Sequence, residues 1–145
     1  MTENLDLLGF DDVASSRPTI QDGEYHLRVV GPKLETSKDG GKYIQYDAIV
    51  QSGPNAGYRI FRAIFSLKAD KVWQFKRDTK AAAFEIPGGL TITEAGEYFA
   101  ANGNGLEIVA RVGSRPLTVD DGNGNYVPDP EGGRENTVRR WLSAA

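Results

Sequence analysis

The 145-residue chain contains no cysteine and a single histidine. The first absence removes disulfides, thiolate nucleophiles and cysteine-based zinc sites. The second removes multi-histidine metal centres and leaves any Ser-His-Asp triad to be built on His26. No apolar run approaches the length of about 20 residues that a membrane-spanning helix needs, and the acidic first residues are unlike a secretory signal, so no membrane partner is expected. No Gly-Lys-Ser/Thr opens a helix after "GNG" or "PGG", so neither is a phosphate loop. Acids are plentiful but fall mostly in loops and the two tails, where they do not make the facing pair of an acid/base site. "DDGNGNYVPDPEGG" places Asp121, Asn123 and Asn125 at the first three ligand positions of a calcium loop. It then offers Tyr126 and Gly132 where the motif needs glycine and glutamate. A hairpin loop explains the same residues better. No cofactor, no metal and no enzymatic activity are expected.

What is present reads as one globular domain, with 39% hydrophobic and 26% charged residues. The net charge of −3 is unevenly spread. Residues 1–22 carry one arginine against five acids, residues 23–80 eleven Lys/Arg against six acids, and residues 81–145 five arginines against nine acids. A centre of net +5 between two acidic ends matters because local potential, not total charge, steers a polyanion.

Residues 1–21 show no sustained period and read as an acidic flexible arm with one apolar patch at Leu5, Leu7, Leu8 and Phe10. Residues 22–145 then form a single domain. "GEYHLRVV" alternates as a first strand, and Gly31-Pro32 and Asp39-Gly40-Gly41 punctuate a connection. A second strand over Lys42–Gln51 turns Ile44, Tyr46, Ala48 and Val50 to one face. A third, Tyr58–Leu67, alternates less cleanly, with Phe61, Phe65 and Leu67 on one face and Tyr58, Ile60 and Ile64 on the other; a bulge could swap them partway. The period then changes to three-to-four over "ADKVWQFKRDTKAAAFEI", a helix stopped by Pro87-Gly88-Gly89, with Trp73 and Phe75 expected in the core. A short second helix over Glu94–Ala101, a fourth strand in "GLEIVARVG", a loop over Ser114–Arg134 and a fifth strand in "NTVRRWL" complete the chain. This order is that of a mainly β, five-stranded, OB-fold-like barrel with a helix between strands three and four. A small sandwich gives no reason for the helical insert.

Single-stranded nucleic acid needs a basic groove and aromatic faces on which bases stack. An OB-fold offers strands two and three, flanked by two loops. Lys33, Lys38, Lys42, Tyr43, Tyr58, Arg59, Phe61 and Arg62 fall there, with Tyr126 in the long loop and Arg139, Arg140 and Trp141 in the last strand. Of these, Tyr43, Tyr58, Phe61 and Trp141 are the candidate stacking surfaces. Aromatic residues also favour strands for packing alone, so the ligand class is suggested and not fixed by these residues.

The layout "DGEYHLRVV…ETSKDGGKYIQYDAIVQSGPNAGYRIFRAIFSL", then a helix, then "GLEIVARVG…RENTVRRWL", resembles a family of small bacteriophage and prophage proteins of replication and recombination modules, described as single-stranded DNA-binding. The resemblance covers about residues 22–142 and rests on turns and inward residues. It implies an OB-fold that coats or escorts single-stranded DNA beside a recombinase, nuclease or polymerase, in the cytoplasm of an infected bacterial host. This chain ends "VRRWLSAA" and carries its acidic segment at the N-terminus, whereas many such proteins carry an acidic C-terminal tail. The rival readings are a protein–protein interaction module and a structural virion protein without nucleic-acid binding.

Overall fold

The computed structural model describes residue 10 and residues 17–145. In chain order it contains β1 (Gly23–Thr36), β2 (Lys42–Val50), β3 (Arg59–Ser66), α1 (Val72–Ala81), α2 (Ile92–Asn102), β4 (Glu107–Pro116), β5 (Thr118–Asp120), β6 (Tyr126–Pro128) and β7 (Arg134–Ala144). The five long strands form one antiparallel sheet in the order β3-β2-β1-β4-β7, and β5 and β6 make a separate hairpin. The protein is thus mainly β, with two helices inserted between its third and fourth strands.

The ladder does not close into a barrel: β3 and β7 are the edges of the sheet. Their side chains nevertheless meet across the core, with the Phe65 and Trp141 ring centroids 5.1 Å apart. Burial of aromatic area draws the edges together without backbone pairing. At one end residues 17–21, expected to belong to the arm, form a strap across the gap. Ile20 is buried, and the Asn136 side chain accepts from the Ile20 N–H at 3.0 Å and donates to its carbonyl at 3.0 Å. The arm expected over the preceding residues lies outside the described residues, apart from Phe10.

The clean alternation of β2 holds, with Ile44, Tyr46, Ala48 and Val50 all buried. β1 is longer than its first eight residues suggest. Gly31-Pro32, expected to start a connection, is instead a bulge between the pairs Val30–Asp47 and Lys33–Gln45. Proline has no N–H to donate, and Gly31 takes φ +60°, so the irregularity is confined to that dipeptide and pairing resumes.

Helix α1 stops at Ala81, well short of the expected Pro87. Ala83 adopts φ +56°, the Ala83 N–H donates to the Lys80 carbonyl and the Phe84 N–H to the Thr79 carbonyl. This is a Schellman closure with alanine in the position glycine usually holds. The strain is offset by Phe84, which the reversal brings edge-on to Phe99 at 5.2 Å. Helix α2 begins in a capping box, Thr91 and Glu94 each accepting from the other's N–H. Helix α2 lies close on the sheet through Gly96, where a Cβ would sit 2.7 Å from Leu67.

Candidate nucleic-acid interface

Strand pairing fixes what the outward face of β1, β2 and β3 displays. Cross-strand partners share a face. One row reads Arg28, Ile49, Arg59; a second reads Lys33, Gln45, Ile64; a third reads Glu35, Tyr43, Ser66. The first two rows thus mix cations with half-exposed apolar side chains, whereas the third carries Glu35 and no cation. Among the described residues no carboxylate pairs with Arg28, Lys33 or Arg62.

Between the first two rows lies the bulge that the uneven third strand required. Tyr46 pairs with Ala63 and Ala48 with Ile60, so Phe61 and Arg62 together oppose Asp47. Ile60 and Ala63 both point inward, whereas Phe61 is 49% exposed and Arg62 stands beside it in solvent. This corrects the expected face of Phe61 with Phe65 and Leu67. Arg62 has φ +56°, and its N–H donates to the Asp47 carboxylate at 3.0 Å. The other Asp47 oxygen accepts from the Arg59 guanidinium at 2.7 and 2.9 Å. Asp47 thus neutralises Arg59 while pinning the turn that projects Arg62.

Beside the bulge a cleft of about 320 Å³ opens between β3 and β7, lined by Arg17, Tyr58, Phe61, Arg62, Leu117 and Arg134 among others. The Arg17 guanidinium lies over the Tyr58 ring at 3.9 Å and 5.1 Å from the Phe61 centroid. Arg134 is oriented by Ser114, donating to its hydroxyl and carbonyl at 3.1 Å each. The only acid in the lining among the described residues, Glu135, pairs with Arg115 at 2.8 Å. The cleft is therefore cationic, and its size is in the range that holds one small planar group.

Two loops flank this face. In Ser37–Gly41 the Asp39 carboxylate accepts from Lys68 at 2.5 Å, from the Ser37 hydroxyl and from the Gly41 N–H at 2.9 Å. Those bonds, with Lys68 foremost, hold its carboxyl well below the usual range. The tip of the β5–β6 hairpin reaches the same loop, with Lys38 Nζ 3.0 Å from the Cβ position of Gly124. That tip is a pair of turns: Asp120 accepts from the N–H groups of Gly122 and Gly124, and Asp121 from those of Asn123 and Asn125. The bonds from Asn123 and Asn125 lower the Asp121 pKa. Asp121, the one carboxylate of the resemblance to a calcium loop, is turned onto its own backbone, and no group of three His, Cys, Asp or Glu side chains placed to hold a metal ion occurs among the described residues.

The expected residues divide accordingly. Lys33, Tyr43, Arg59, Phe61 and Arg62 share the outer face, and Tyr58 joins Phe61 in the cleft. Lys38 stands in the flanking loop, and Lys42 is exposed at the start of β2, its ammonium 3.3 Å from the Thr36 hydroxyl. Tyr126 is 69% exposed on the hairpin. Arg139 and Arg140 are exposed on β7 but do not line the cleft; Arg139 folds over Gly113 and donates to the Ser114 carbonyl at 2.8 Å. Trp141 is not a stacking surface. It is fully buried, and its indole N–H donates to the Tyr46 hydroxyl at 2.9 Å. Burial, foremost, raises the Tyr46 hydroxyl pKa. Trp73, expected in the core, is 54% exposed. Arg17, Arg28 and Arg134 were missed; Arg28 was detectable as the outward neighbour of Leu27 and Val29, but Arg17 and Arg134 enter only through the strap and the hairpin. Comparison of the sequence with protein-family models and with curated proteins gives no match.

Proposed function

We propose that this chain is a noncatalytic single-stranded DNA-binding protein, with its five-stranded sheet curled into an OB-type barrel left open between β3 and β7. The observation that carries the reading is the bulge in β3, which sends a half-exposed aromatic ring and a cation with no carboxylate partner among the described residues out side by side, into a cleft that already holds two further arginines. A ring takes a base face and a neighbouring cation takes the phosphate, which is the division of labour in strand binding without sequence readout. Lys33 and Arg28 extend the cationic track along β1, and Lys38 with Tyr126 closes its far flank. The resemblance to phage replication and recombination proteins supports the same ligand. It also supports a place beside a recombinase, nuclease or polymerase in the host cytoplasm.

The test is fluorescence anisotropy of labelled single- and double-stranded oligonucleotides at two salt concentrations. Single strands bind more tightly than duplex, and log affinity falls with log salt by about 0.7 per phosphate neutralised. Equal binding of both, or none at low salt, overturns the proposal.

A further inference from the structure

On the helical side a second groove, of about 530 Å³, runs between the start of α1 and the segment leading into α2. Val72, Phe75, Ile86 and Ala95 form its floor. Its lip is Trp73, Leu90 and Ile92, which are 54%, 37% and 44% exposed. An apolar patch of that kind on a small domain marks a place where another chain sits. Among the described residues Lys76 is the only charged one in the lining, and Lys71, at the N-cap of α1, and Lys80, in its last turn, are exposed. None of the three has a carboxylate partner among the described residues. The groove therefore calls for a segment that is apolar in its centre and acidic at its ends.

The chain carries such a segment. "ENLDLLGFDD" (residues 3–12) has Leu5, Leu7, Leu8 and Phe10 set among Glu3, Asp6, Asp11 and Asp12. Phe10 is 90% exposed while Trp73 of the same molecule is 54% exposed, so the two do not cover one another within one chain. We propose that the N-terminal segment of one copy docks in the α1–α2 groove of a second copy. Six residues lie between Phe10 and Arg17, which is fixed on Tyr58, and the seven Cα–Cα steps span at most about 24 Å, enough to cross to a neighbour. Donor and acceptor surfaces differ, so the contact is head-to-tail and propagates. If the DNA reading holds, it makes strand binding cooperative, but the contact itself needs no DNA.

Sedimentation of the full chain without DNA tests it. The weight-average mass rises with concentration to at least about twice the 15.8 kDa monomer near 100 μM. Phe10→Asp and Trp73→Glu each remain monomeric; both residues are exposed, and the first turn of a helix accepts a carboxylate, so both variants fold. An equimolar mixture of the two, one keeping the segment and the other the groove, forms a dimer that grows no further. A wild-type chain that stays monomeric, a variant that still associates, or a mixture that yields no dimer overturns the proposal. None of these outcomes bears on oligonucleotide affinity at the sheet face.

Discussion

The guanidinium carbon of Arg17 lies 3.9 Å from the centroid of the Tyr58 ring, and the Tyr58 hydroxyl lies 2.8 Å from the Pro18 carbonyl and 3.0 Å from the Asn136 amide oxygen. Tyr58 is therefore a clasp for the strap, with one ring face already taken by a cation. Arg17 and Arg59 stand farther from the Phe61 ring, at 5.1 and 5.5 Å from its centroid, which leaves Phe61 the more open surface for a base. Tyr58→Phe keeps the ring and the stacked arginine but loses the hydroxyl's bonds. It lowers stability in urea titration by about 1 kcal/mol and leaves oligonucleotide affinity unchanged. A large fall in affinity would make the hydroxyl a ligand contact.

Phe61 and Trp141 should separate binding from folding. Phe61→Ala removes a half-exposed ring, so stability changes little, while affinity for single strands falls by about 1–3 kcal/mol with the salt slope preserved. Trp141→Phe does the reverse. It leaves a void beside Phe65 and deprives the Tyr46 hydroxyl of its donor, costing about 2–3 kcal/mol in thermal or urea unfolding. Affinity at a temperature where the variant is folded stays that of the wild type.

The contrast between these two rings shows how far the residues speak for themselves. The strands could be placed because alternation and turn chemistry are local, and β2 is the clearest case, with period-two burial from end to end. The direction of Phe61 could not, because one extra residue opposite Asp47 reverses every side chain before it. Trp141 looked like a platform beside two arginines. Its burial depends on α1 and β3 closing over β7 from distant parts of the chain. Trp73 departs in the opposite sense: a large aromatic in a helix was expected in the core, but among the described residues no element covers that side of α1. The cleft arginines needed the strap, and nothing near Arg17 in sequence announces a partner 41 residues away at Tyr58.

Asp39 gives the flanking loop a pH dependence of definite sign. Its folded pKa is depressed, chiefly by Lys68 and then by Ser37 and the Gly41 N–H. The contribution is thus present above the ordinary aspartate value of about 4 and is lost as pH falls below it towards the folded value. The Gly41 amide should stay protected in hydrogen exchange from neutral pH down to about 4 and lose protection below that. Asp39→Asn keeps an acceptor for the Gly41 N–H but no charge for Lys68, so protection should be weaker at neutral pH and should not change as pH falls through about 4. An equal profile in both chains would show that the loop is held by something else. The same substitution frees Lys68 from its partner, so oligonucleotide binding at low salt strengthens.

Arg62 carries the sharpest test, because stability and function pull it in opposite directions. A non-glycine residue in the left-handed region costs about 1–2 kcal/mol, and at φ +56° Arg62 bears that strain. Glycine relieves it, at an entropic cost of about 0.5–1 kcal/mol in the unfolded chain. The Asp47 bond to the backbone N–H survives the exchange. Arg62→Gly should therefore unfold at the same or a higher urea midpoint. It nevertheless loses the cation beside Phe61, so the slope of log affinity against log salt becomes shallower by about 0.7, one phosphate contact. Affinity at moderate salt falls by roughly tenfold, or about 1.4 kcal/mol. Arg62→Lys separates charge from geometry: it keeps the strain and the slope and restores most of the affinity. A glycine variant that binds as tightly as the wild type, with an unchanged slope, would show that the strain is retained for some purpose other than a phosphate contact.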